Sequence, residues 1–175
     1  MNCNIKFVHI IMIIQLKKNT IFIDQFKLKC SVGKGGIKIK KKEGDNITPK
    51  GIFNIGCLYY RSDRTNNFKS KLRSKEIKNN MGWCNDPSSK NYNRLIKIVK
   101  NTKYSYEKLY RKDYKYDFII PIGYNFKKPI KGKGSAIFFH LTKNYNSTAG
   151  CIALKKNDFL VMLNLINKKT KVKIF

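Results

Sequence analysis

A chain of 175 residues that is 42% hydrophobic and 13% aromatic has the length of one domain and enough apolar surface to bury, which excludes a disordered protein. No apolar run reaches the roughly 18 residues a membrane-spanning helix needs, so the expectation is a soluble globular protein with no transmembrane segment. The formal charge of +28 would suit a polyanion, yet nearly all of it is Lys spread along the whole chain, with only Arg61, Arg64, Arg73, Arg94 and Arg111 as arginines.

Abundant Asn and Ile beside the Lys point to a coding-composition bias. The charge therefore predicts loose attraction to anionic polymers and no specific nucleic-acid site.

In chain order, "NIKFVHIIMIIQL" has an apolar stretch of signal-peptide length, but "KKNT" follows in place of a small-residue cleavage site. It reads as a first strand and turn in preference to an export signal. "IFI" and "KLKCSV" continue as strands, the latter with Leu28, Cys30 and Val32 on one face and Lys27 and Lys29 on the other. "GKGG" turns into "IKIKKK", and "EGDNITPKG" is a loop punctuated by Gly44, Pro49 and Gly51 before "IFNIGCLYY" resumes strand character.

Residues 61–101 are polar and irregular, and "GWCNDPSSKNYNR" predicts a long inserted loop or a small helical excursion. "SYEKLYRKD" suits a short helix capped by Ser105 with Glu107 in its first turn. "DFIIPIGYN" and "SAIFFHL" are strand candidates. "NDFLVMLNLINKK" places Phe159, Leu160, Leu163 and Ile166 on one helical stripe with Asn157 as cap, and "KVKIF" closes as a strand. The sum is a single mainly β domain over residues 1–175 with a few short helices.

The five cysteines are an odd number, so at least one is free if the rest pair. Cys3, Cys30, Cys57 and Cys84 stand 27 residues apart, but their flanks differ and the spacing carries no repeat. No C-x-x-C pair occurs and His9 and His140 are the only histidines, so no metal site and no cofactor is expected.

Strand periodicity puts Ala136, Phe138 and His140 on one face of "SAIFFHL" and Ile137, Phe139 and Leu141 on the other. Ten intervening residues lead to Cys151, which opens the short strand "CIAL". If the two strands are neighbours, thiol and imidazole stand side by side. A free Cys is only about 3% thiolate at pH 7, and an adjacent imidazole that lowered its pKa to about 6 would make it about 90% thiolate. The same imidazole can return the proton to a leaving amine. Gly150 lets backbone N–H groups approach a developing oxyanion. The bland alternative is a buried Cys and a His that only makes a hydrogen bond. The His-before-Cys order argues against a papain-like enzyme.

The segment "GSAIFFH" with "STAGCIAL" resembles the active-site segment of the L,D-transpeptidase (YkuD, or ErfK/YbiS/YcfS/YnhG) catalytic domain, in its branch ending in "TAGC". "GKGGIKIKKKEGDNITPKGIF", "YYRSDR", "GWCNDP" with "YNR", and "YDFIIPIGYN" extend the resemblance over most of the chain from about Cys30 onward. It implies a β-sandwich-like catalytic domain and a two-step acyl transfer on peptidoglycan stem peptides in cell-wall synthesis or remodelling. Cys151 would attack the carbonyl before the terminal D-alanine, His140 would protonate the leaving amine, and an amine from a second stem would resolve the thioester. With water as acceptor the same site would be an L,D-carboxypeptidase.

The resemblance is incomplete where the better-known members carry His before the Gly and Arg after the Cys: here Ala149 and Ala153 stand there. Arg61, Arg64 and Arg94 are candidates for the missing charge. Ser147 or a backbone carbonyl would orient His140, and Gly150 and Ser147 are the positioning candidates beside the nucleophile. Tyr60, Arg61, Arg64, Trp83, Asp86, Tyr92 and Asn93 form a candidate peptide-binding wall, or a set of core-covering residues. Two other readings stay open, a Cys peptidase of another substrate and a basic non-enzymatic module that binds nucleic acid or cell wall. The resemblance implies the cell envelope, whereas five cysteines and the ambiguous N-terminus suit the cytoplasm.

Overall fold

Residues 12–175 are described by the computed structural model. The reading of residues 1–11, with Cys3 and His9, lies outside the described residues. From residue 12 onward the alternation forms a meander. In β1 (Ile13–Lys17) Ile14 and Leu16 are buried, in β2 (Thr20–Ile23) Ile21 and Ile23, and in β3 (Phe26–Ser31) Leu28 and Cys30. Two-residue turns join them, and Lys18 and Asp24 supply the positive φ that such tight hairpins require, at 52° and 51°.

Next come β4 (Ile37–Lys38), β5 (Thr48–Pro49), β6 (Gly51–Asn54), β7 (Leu58–Tyr60), β8 (Ser74–Glu76), β9 (Met81–Cys84), β10 (Leu95–Lys97) and β11 (Tyr106–Lys108). The chain closes with β12 (Phe118–Pro121), β13 (Phe138–Leu141), β14 (Ile152–Leu154), the helix α1 (Lys156–Leu165) and β15 (Lys171–Ile174). A curled ten-stranded mixed sheet has the order β6-β15-β1-β2-β3-β14-β13-β12-β7-β8, with β10-β9-β11 as a separate three-stranded sheet.

The centre of the large sheet is covered on both sides, which is why β12, β13 and β14 are buried along their whole length and read as continuous apolar runs. On one face Phe139, Leu141 and Leu154 pack with Phe118 and with Phe159, Met162 and Leu163 of α1. On the other face Phe138 and Ile119 pack with Trp83, Leu109 and Tyr116 from the small sheet and its flanks. The result is the expected mainly β, sandwich-like domain.

Three local expectations are corrected. Among the described residues there is one helix, and within "SYEKLYRKD" Tyr106–Lys108 form strand β11, because Glu107 pairs with Trp83 and Tyr106 with Cys84. Tertiary pairing overrides a weak local helix preference there. Residues 61–101 are neither a bare loop nor a helical excursion, since they carry β8, β9 and β10. Asn157 does not cap α1: the cap position is Lys155, which makes no side-chain cap bond, and Asn157 is exposed within the first turn.

Candidate active site

Strands β13 and β14 run parallel, with His140 opposite Ala153 and Phe139 opposite Ile152. Side chains alternate along each strand, so Phe138, His140, Cys151 and Ala153 share one face, and the thiol lies diagonally across from the imidazole. Both line a cleft of about 500 Å³ with Lys40, Glu107, Arg111 and Tyr116 on its walls. A second cavity, about 430 Å³ near Ile52–Gly56 and Pro121, has no Cys, His, Asp or Glu in its lining and so cannot host thiol chemistry.

His140 is 7% exposed, and its Nδ1 stands 2.9 Å from the Leu141 carbonyl oxygen. A carbonyl only accepts, so Nδ1 carries the proton and Nε2 keeps a lone pair. A backbone carbonyl, not Ser147, thus orients the ring, and Tyr116 packs edge-on against it at 5.5 Å. Burial, helped by Lys115 and Arg111, lowers the His140 pKa to about 4. Cys151 donates from Sγ to Ala136 O at 3.2 Å and accepts from Phe138 N at 3.4 Å. Burial pushes its pKa up to about 12, against the Phe138 N–H that favours the thiolate. The expected imidazole-induced thiolate is therefore corrected: the resting pair is neutral thiol and neutral imidazole, because desolvation penalises both charges.

This protonation state has a stability consequence. The unfolded imidazole takes up its proton near 6.5 and the folded one only near 4, so the unfolded state binds more protons between those values. His140 thus leaves stability intact above pH 6.5 and removes about 3 kcal/mol as pH falls to about 4. Denaturant melts of wild type and His140→Gln from pH 7 to 4 should show the steeper acid loss in wild type. Parallel curves would contradict the buried neutral imidazole.

The loop before Cys151 is fixed by residues from "GDNITPKG". Thr48 Oγ1 donates to Gly150 O at 2.8 Å and accepts from Gly33 N at 2.8 Å. Asp45 ties its own turn by accepting from the backbone N–H groups of Lys41, Lys42 and Ile47, and it pairs with the buried Lys40 ammonium. Burial would raise the Asp45 pKa, but Lys40 and those three donors outweigh it and hold it at about 2. Gly150 has φ +137°, and a Cβ there would sit 2.9 Å from Ile47 O. Its N–H is taken by Thr148 Oγ1 at 3.1 Å, while Ser147 is exposed at the cleft wall.

The candidate peptide-binding wall divides. Trp83, Tyr92 and Asn93 are each 2% exposed and support the site from behind. Asn93 Oδ1 accepts from Trp83 Nε1 at 2.9 Å and from Ala136 N at 3.1 Å. Tyr92 Oη accepts from Gly134 N at 2.9 Å and donates to Glu43. These bonds hold Ala136, at φ +52°, so that its carbonyl faces the thiol. Asp86 ties a turn through Ser88 and Ser105, and Tyr60 packs edge-on against Phe68.

None of Arg61, Arg64 and Arg94 lines the cleft. Arg61 pairs with Asp63 and donates to Arg111 O at 2.7 Å, Arg64 donates to Lys112 O and Asp113 O, and Arg94 donates to Phe126 O and Lys127 O. They brace loops. The arginine that reaches the cleft is Arg111, paired with Glu107 and Asp113 and lying over the Tyr116 ring at 5.0 Å. Sequence reasoning missed Arg111, Tyr116 and Lys40, because "YRKDYKY" and "IKIKKK" look like any solvated charged run.

Fold and site together define a curled β domain whose cleft presents a histidine from β13 and a cysteine that immediately precedes its parallel neighbour β14. The chain belongs to the YkuD family: the model for the L,D-transpeptidase catalytic domain matches residues 11–174. Solved structures with a similar fold include the helical cell shape determining protein Pgp2 from Campylobacter jejuni, at 18% identity and TM-score 0.49, covering 94% of this chain and 47% of that one. Bd1075 from Bdellovibrio bacteriovorus is 13% identical with TM-score 0.49, covering 94% and 47%. An L,D-transpeptidase from Mycobacterium smegmatis is 11% identical with TM-score 0.41, covering 94% and 58%. The chain thus spans about half the length of these structures. No curated protein matches it. Among the described residues no helix is long and apolar enough to cross a membrane.

Proposed function

We propose that this protein is a cysteine acyltransferase of the L,D-transpeptidase type, acting on peptidoglycan stem peptides in the cell envelope through Cys151 and His140. The observation that carries the reading is the pair's placement on one sheet face of a cleft of about 500 Å³, in a chain of the YkuD family. Because the resting pair is neutral, the thiol proton moves to His140 Nε2 as Sγ attacks the carbonyl carbon before the terminal D-alanine. The tetrahedral adduct collapses by breaking its C–N bond, and the Nε2 proton goes to the departing amine. A thioester remains. An amine from a second stem then attacks it and passes its proton to Nε2, the C–S bond breaks, and Nε2 returns that proton to the departing sulfur, leaving a new amide, the free thiol and neutral imidazole. Lys40 and Arg111 are already ion-paired, so the exposed Lys115 on the cleft wall supplies the positive charge for a substrate carboxylate or the oxyanion that Ala153 cannot provide.

Mass spectrometry after incubation with purified tetrapeptide muropeptides tests this. The expected products are cross-linked dimers and free D-alanine. Unchanged muropeptides would overturn the reading, and D-alanine release without dimers would make water the acceptor and the activity that of a carboxypeptidase.

A further inference from the structure

The sheet face that carries Cys151 and His140 continues past the cleft. His140, Ala153 and Ser31 lie in register across β13, β14 and β3. Lys29 and Lys27 follow Ser31 at two-residue steps on the same side of β3. From Lys27 a row crosses β2, β1 and β15 through Phe22 and Gln15 to Lys173. From Lys29 a second row crosses through Thr20 to Lys17. Lys17, Lys27 and Lys29 are exposed and Lys173 is half-buried, while the opposite face of these strands is core.

The charge on this face is of one sign. Strands β6, β15, β1, β2 and β3 contain no Asp or Glu, although the chain has 10. Asp24, in the turn between β2 and β3, is the acid nearest in sequence. At roughly 4.8 Å between strands and roughly 7 Å per two-residue step, the lysines stand roughly 7–16 Å apart. They act as separate point charges. Face and cleft adjoin, since Lys29 Nζ lies 4.8 Å from the ring of Tyr145, within the connection that leads to Cys151.

We propose that this lysine face is a docking surface for a carboxylate-bearing cell-wall polymer, lying alongside the cleft so that a stem of the docked polymer reaches Cys151. The proposal rests on the acyl-transfer reading above. Nucleic acid fits the face less well for two reasons. None of the five strands carries Arg, whose fork matches phosphate, whereas Lys suits isolated carboxylates. The Phe175 ring is occupied by Lys17 and Lys173, at 4.8 Å and 4.5 Å, and so offers no open platform for bases.

The test compares the full chain, a variant with Lys17→Gln, Lys27→Gln, Lys29→Gln and Lys173→Gln, and an equal-charge control with Lys90→Gln, Lys97→Gln, Lys100→Gln and Lys103→Gln. Co-sedimentation with purified peptidoglycan sacculi at roughly 0.15 M salt gives affinity. The face variant should bind at least tenfold more weakly than the control, and its turnover of sacculi should fall relative to its turnover of soluble muropeptide. Equal binding by the two variants, or tighter binding of the parent to a single-stranded or duplex oligonucleotide than to sacculi, would overturn the proposal. Thermal melts of all three proteins show whether a loss is only unfolding. Absent turnover in every sample would count against the acyl-transfer reading, while the sedimentation still decides the docking surface.

Discussion

Cys151→Ala should abolish D-alanine release from muropeptides, with kcat/KM down by at least about 10⁴-fold, because among the described residues no other cysteine lines the cleft to form the thioester. His140→Gln should cost nearly as much. The Cys151 thiol, pushed up to about 12 by desolvation, is almost wholly protonated at neutral pH, so attack needs Nε2 to take the proton as the carbon–sulfur bond forms. The pH profile separates a base from a structural residue. In wild type the rate should hold from neutral pH down towards the His140 pKa of about 4. In His140→Gln the residual rate should rise about tenfold per pH unit on the alkaline side, since only solvent is left to ionise the thiol. Retained activity in Cys151→Ala, or a pH-independent remnant in His140→Gln, would exclude this chemistry at this site.

Gly150→Ala should cost about 3 kcal/mol and most of the activity. The new Cβ meets Ile47 O at 2.9 Å and Ile137 Cδ1 at 3.2 Å, at a φ of +137° that L residues rarely adopt. The oxygen cannot easily retreat: Ile47 N is bonded to Asp45 at 3.0 Å, and Thr48 next to it holds Gly150 O at 2.8 Å. Any relief must move the backbone beside Cys151, and misplacement of a nucleophile by about 1 Å costs on the order of 10²-fold. Gly36→Ala is the comparison. It also has positive φ, +77°, but its Cβ meets nothing within 4 Å, so only the left-handed backbone penalty of about 1 kcal/mol applies. Melting temperatures should fall by roughly 6–12 °C and roughly 2–4 °C respectively. Equal losses would mean that the tight approach to Ile47 does not matter.

Much of the frame was legible because solvent partitioning is local. "KLKCSV" and "SAIFFHL" each show which side chains face inward, and the structure buries Leu28 and Cys30 on one strand and places His140 with Phe138 on the other. "SYEKLYRKD" was not legible. Its helical and strand preferences are close, and the choice falls to hydrogen bonds offered by Met81–Cys84, far away in sequence. The same limit applies to arginines: five guanidiniums look alike in a sequence, and only the fold sends Arg61, Arg64 and Arg94 to loop carbonyls and Arg111 to the cleft.

The sequence by itself determined that the chain is a mainly β domain, and its "TAGC" segment and ordered motifs pointed to the family. Alternation and short motifs are properties of neighbours along the chain, so they survive without coordinates. Only the tertiary structure decided the protonation of the pair and which cations reach it. Burial beneath the small sheet and its flanks drives His140 down and Cys151 up, and that desolvation comes from Tyr116, Trp83 and other residues distant in sequence. A pattern read along one strand cannot contain it.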